Sequence, residues 1–127
     1  MAPSTSTVAP APLPTVTIGK WTGREPRAIY FSGDSGDIAT DLTWSSWAAD
    51  RAVGSGTWHY LDCRPSCAAG TSTPYPVTIT LTNPVHGQFT TLVEKTSGPH
   101  GFTQTFTAPQ LGQGACTNQN QNSCAFA

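Results

Sequence analysis

Residues Ile38 to Cys67 read IATDLTWSSWAADRAVGSGTWHYLDCRPSC, and this stretch decides the fold class. Ile38, Thr40, Leu42 and Trp44 share one parity, while Asp37, Asp41 and Thr43 take the other, the alternation of a half-buried strand. At Trp44-Ser45-Ser46-Trp47 the pattern slips by one residue, as a β-bulge does when it re-aims a side chain. A second strand is expected over Thr57 to Leu61, with Trp58 and Tyr60 on one face and Gly54-Ser55-Gly56 as a flexible link before it. A short helix from Ser45 to Val53, capped by Ser45, is the competing reading of the middle.

The same logic extends outward. Val16–Trp21 and Arg27–Ser32 are strand candidates, with Gly23–Pro26 a turn between them and Gly33–Asp37 turn chemistry after them. Gly70 to Pro74 reads as loop. Val77, Ile79 and Leu81 then alternate with Thr78, Thr80 and Thr82, one buried face and one wet face, until Asn83-Pro84 ends the strand. Gln88–Lys95 follows, and then Gly101–Thr107, where Phe102 and Phe106 share a face. After Pro109 the Gly- and Gln-rich chain is expected to be loop. Seven or so short strands between turn signals define an all-β fold, a single antiparallel β-sandwich that is Ig-like or related. The expected organisation is a disordered Pro/Ala/Ser/Thr-rich tether over residues 1–15 and a β-sandwich domain with a loop-rich C-terminal segment over 16–127.

Composition narrows the partners. Charged residues make up 10% of the 127, the net charge is −1, and the Lys and Arg residues are scattered, so nothing is built to neutralise phosphates and nucleic acid is not an expected partner. No apolar run reaches the roughly 20 residues of a membrane span. Four cysteines in so short a chain point to an oxidising compartment, hence to a secreted or envelope-attached, extracytoplasmic protein whose export or anchor segment would lie upstream of Met1.

In an extended strand, Cys63 and Cys67 would sit about 13 Å apart at Cα, whereas a disulfide needs less than about 7 Å. Pro65 in a tight turn closes that gap. Cys116 and Cys124 flank the polar run TNQNQNS, which has no other reason to hold a shape. The favoured connectivity is therefore two local disulfides, Cys63–Cys67 and Cys116–Cys124, over the two crossed ones. A zinc site using His59 with Cys63 is disfavoured, because the second pair has the wrong spacing for a knuckle and extracellular thiols oxidise; no metal and no cofactor is expected.

Catalytic patterns fail on context. Gly33-Asp34-Ser35-Gly36 matches the tetrapeptide around the nucleophile of trypsin-like proteases, but His59, His86 and His100 all follow Ser35, and a hairpin turn explains the four residues. Asp34, Asp37 and Asp41 lack a calcium loop with a closing Glu. Glu25 and Glu94 are the only glutamates, and nothing places them as a glycosidase pair. His59 and Asp62 fall on opposite strand faces. No catalytic residue is assigned, and the chain is read as non-enzymatic. Trp47, Trp58, Tyr60 and Tyr75 are the candidate ligand-binding residues, since aromatic rings on a β face stack on sugars; against this, large rings in a sandwich are usually core.

Trp44, Trp47, Cys63, Pro65, Cys67, Ala68 and Gly70, followed by Pro76, Val77, Thr78, Ile79 and Leu81, form a Trp-x-x-Trp … Cys-x-Pro-x-Cys-Ala-x-Gly … Pro-Val-Thr-Ile-x-Leu pattern. In this combination, over roughly residues 26–95, the chain resembles an uncharacterised family of small exported proteins of actinobacteria. Its usual further cysteine pair near the domain start has no counterpart here, where Trp21 and Gly33 stand. The resemblance implies export and the local disulfide, and no chemistry. The expected function is thus an exported binding or structural module at the cell envelope, a monomer facing an unknown envelope glycan or protein. The alternatives are a small secreted protease inhibitor presenting Arg64 in the Cys63–Cys67 loop, or a minor secreted hydrolase.

Overall fold

The computed structural model describes residues 12–31, 37–62, 66, 69–117 and 124–126, and among these there is no helix. Ten strands follow in order: β1 (Val16–Ile18), β2 (Trp21–Gly23), β3 (Ala28–Tyr30), β4 (Ile38–Trp47), β5 (Arg51–Asp62), β6 (Thr71–Val85), β7 (Gln88–Thr96), β8 (Thr103–Thr107), β9 (Gly114–Cys116) and β10 (Cys124–Phe126). Eight form one antiparallel sheet in the order β10-β9-β3-β4-β5-β6-β7-β8, and β1 with β2 forms a second, two-stranded sheet.

The large sheet curls until Phe31, just past β3, stacks on Phe106 of β8 with ring centroids 5.1 Å apart. The β1–β2 hairpin fills the open side of the curl, β1 against β7 and β2 against β9 and β10. Its tight turn needs the positive φ of Gly19 (61°), which is why Val16–Trp21 is a hairpin arm and a turn, not one strand. Val16, Ile18 and Trp21 of the hairpin meet Ile29, Leu42, Ile79, Leu81, Phe89, Leu92 and Leu111 in one core. The result is sandwich-like and all-β. Each large apolar side chain shut inside contributes about 1.5–3 kcal/mol.

The Thr-alternating run behaves as its pattern predicts: Val77, Ile79 and Leu81 are buried while Thr78 is exposed. The expected slip at Trp44–Trp47 is a register shift between Trp44 and Ser46. A second shift lies between Thr40 and Thr43, where Asp41 takes φ 53°. It turns Ala39 inward beside Leu42, so Ile38 does not share the core face with Leu42, contrary to the simple parity.

Five local expectations are corrected. Ser45 to Val53 is not helical: Ala48 N–H bonds the Arg51 carbonyl at 2.8 Å, closing a turn between β4 and β5. Gly54 and Gly56 are strand positions within β5, not a link. A Cβ on Gly54 would come within 2.7 Å of the Trp44 ring, so glycine there admits the indole. Thr71–Pro74 belongs to β6. Pro74 and Pro76 pair with His59 and Thr57, while β7 pairing stops at Val77. The proline nitrogens face that open edge, where no ladder bond is lost. At the other end β6 runs past Asn83-Pro84 to Val85, because Asn83 (φ 56°) bends without breaking the pairing and His86-Gly87 makes the turn. Finally, the segment after Pro109 holds β9 and β10. The Cys116–Cys124 disulfide joins directly opposed residues there, and all of β9 is buried between β3 and β10.

Candidate ligand-binding site

Antiparallel pairing sets Trp58 of β5 directly opposite Tyr75 of β6, and the two-residue period places Tyr60 on the same face. The Trp58 ring lies 5.9 Å from Tyr60, 6.1 Å from Tyr75 and 5.3 Å, edge-on, from Phe102. Tyr60 carries a further partner: the His100 imidazole stacks parallel to it at 3.9 Å with 3° between the planes. Trp58 is 3% exposed and forms the floor. Tyr60, Tyr75 and Phe102 are half-buried, and His100 is exposed.

The floor is wired to charge. Trp58 Nε1 donates to Asp37 Oδ1 at 3.0 Å, and Asp37 in turn acts on Glu94 of β7. Glu94 is wholly buried, and neither of its oxygens meets hydrogen-bond geometry with a partner among the described residues. Burial pushes its carboxyl up to about 10, reinforced by polar contact with the Asp37 carboxyl, which favours the protonated form, and by that group's negative charge. Glu94 therefore sits in the core as a neutral acid at pH 7. An ionised Glu94 beside an ionised Asp37 would be a pair of like charges removed from water.

Of the four aromatic candidates, the fold gathers Trp58, Tyr60 and Tyr75 and leaves Trp47 elsewhere. Trp47 lies opposite Ala52 and Trp58 opposite Ala39, which separates the two indoles by roughly 20–25 Å along the strands. Trp47 packs on Trp44 at 4.9 Å and Phe89 at 5.6 Å, and its Nε1 donates to the Pro14 carbonyl at 2.7 Å. Trp44 Nε1 likewise donates to the Pro26 carbonyl at 2.8 Å. Beside this end, Thr17, Val85, Phe89, Pro109 and Leu111 help line an apolar cleft of about 230 Å³.

His59 is kept apart from the aromatic floor by parity and bonds Thr40 Oγ1 at 2.9 Å. His86 is exposed in the β6–β7 turn. Cys63, Arg64 and Cys67, with Asp34 and Ser35, lie outside the described residues. Among the described residues no three His, Cys, Asp or Glu side chains gather as metal ligands, and no helix is long and apolar enough to cross a membrane.

Sequence reasoning passed over Phe102, His100, Asp37 and Glu94 as members of this site. The parity of Phe102 with Phe106 was a usable signal for the ring. For Glu94 the signal was its place in the run Leu92-Val93-Glu94, on the parity of a core residue. No protein family, curated protein or solved structure matches the chain.

Proposed function

We propose that this chain is an exported, non-enzymatic binding module of the cell envelope, and that its Trp58–Tyr60–Tyr75 end binds a neutral glycan. One observation carries the reading. Two tyrosine rings, each half-buried, flank a buried indole on one sheet face. Such rings supply stacking area together with a polar tip, the combination that a sugar face demands.

The setting supports it. The scarcity of charge suits an uncharged ligand. Pro14 and Thr15 are held beside Trp47 and Gly87, at the end of the sheet away from the aromatic site.

The test is a titration of intrinsic tryptophan fluorescence with soluble envelope glycans. The expected result is a saturable change in emission that Tyr75→Ala weakens roughly fivefold or more. A flat response across the glycan panel would remove this reading.

A further inference from the structure

The aromatic end already holds a flat ring from its own chain. Ser97 to Gly101, joining β7 to β8, folds back across the tyrosines: Gly98 (φ 97°) lies against the Tyr75 ring, and His100 covers Tyr60. We propose that this turn is a flap in which His100 stands in for the ligand, and that a neutral pyranose ring binds by displacing the imidazole and stacking on Tyr60. The proposal rests on the glycan reading above and adds the subsite and its built-in competitor.

Three features make the imidazole displaceable. It is exposed, so swinging it into water costs little desolvation. The bonds that hold the turn lie at its base or within it: Thr96 N–H to the Phe102 carbonyl at 2.9 Å, Phe102 N–H to Thr96 Oγ1 at 2.9 Å, and Gly101 N–H to the Gly98 carbonyl at 3.0 Å. Toward the neighbouring strand, Ser97 N–H reaches the Pro76 carbonyl only at 3.3 Å, a long bond at the edge where β6 has outrun β7. The turn can therefore move as a unit on the Thr96–Phe102 hinge.

The vacated face fits a sugar better than a charged partner. Thr73, directly opposite Tyr60 on the same face, and the two tyrosine hydroxyls offer hydrogen bonds around a stacking surface. His100 is the one titratable side chain in Ser97–Gly101. Gly98 matters because any side chain there would strike the Tyr75 ring, and its φ disfavours other residues.

Calorimetric titration of the wild type, His100→Ala and Tyr60→Ala with cellotetraose and chitotetraose tests this. These β-linked chains present flat pyranose faces. Removing one competing ring stack should tighten binding about two- to tenfold in His100→Ala, while Tyr60→Ala loses binding. In the wild type, the His100 ring-proton resonances, shifted by the Tyr60 ring current, should move to free-imidazole positions at saturating sugar. If the wild type binds but His100→Ala binds no tighter, or the His100 resonances stay put, the flap is overturned and the glycan reading stands. If neither protein binds either sugar, both fall.

Discussion

The Trp44–Trp47 pair and the aromatic cluster around Trp58 sit at opposite ends of β4 and β5 and use the same indole N–H differently. At one end, Trp44 and Trp47 donate to the backbone carbonyls of Pro26 and Pro14. Those acceptors do not titrate, and the bonds clamp neighbouring chain onto the sheet. Arg24 adds to the clamp by donating to the carbonyls of Leu13 and Pro14. At the other end, Trp58 donates to a carboxylate that acts on a second, buried carboxyl. The first cluster is a mechanical fastening, indifferent to pH. The second is an aromatic surface whose floor is tied to a protonation state, and the fold places it where residues 13–15 do not reach.

That contrast can be broken by experiment. The largest effect is expected from Trp58→Ala, which empties a buried site and should cost about 3–5 kcal/mol in urea unfolding. Trp47→Ala, at a half-buried position, should cost roughly half as much. Equal losses would show that the two clusters are not distinguished by burial.

Next comes pH. Below the ordinary carboxyl value of 4.5, Glu94 is protonated in folded and unfolded chains alike, and the stability linked to it is fully present. Between 4.5 and about 10 the unfolded chain loses a proton that the folded one keeps. The unfolding free energy should therefore fall as pH rises through that window, on the order of a few kcal/mol in total. Glu94→Gln should flatten the profile, and denaturation midpoints at pH 5 and pH 9 measure it. Trp47→Ala should leave the slope unchanged. A wild-type profile already flat across the window would refute the neutral-acid assignment.

The smallest effect belongs to the fastening end. Gly54→Ala sets a methyl group against the Trp44 ring and should cost about 1–3 kcal/mol through overpacking. The aromatic site should be untouched, with glycan affinity unchanged. A shift in Trp58-end binding would mean the ends are mechanically coupled.

Several features are legible in the sequence. Val77, Ile79 and Leu81 alternate with threonines because a sheet with one wet face demands it, and the Trp44–Trp47 slip was readable as a bulge. The Cys116–Cys124 bridge is the pairing favoured for the cysteines that flank TNQNQNS. Other features were misread for a common reason. Gly54, Gly56 and Pro74 carry local signals for flexibility and turns, yet all three lie in strands. What reverses the signal is a neighbour distant in sequence: an indole pressed on Gly54, Thr40 and Leu42 against Gly56, and His59 of β5 paired with Pro74 where the β7 ladder has ended.

The candidate site divides the same way. Aromatic residues at Trp58, Tyr60 and Tyr75 could be picked out by type and parity, because side-chain period is a local property of a strand. That Trp47 lies at the far end, that His100 covers Tyr60 and that Asp37 acts on Glu94 depend on strand register, on the curl and on the fold of one turn. Alternation along the chain was enough to determine an all-β protein with a threonine-clad face, and two cysteines flanking a polar run favoured the C-terminal bridge. Which rings meet, and which acid is shut away from water, only the tertiary structure decided. Those contacts join residues tens of positions apart, and no local preference encodes their pairing.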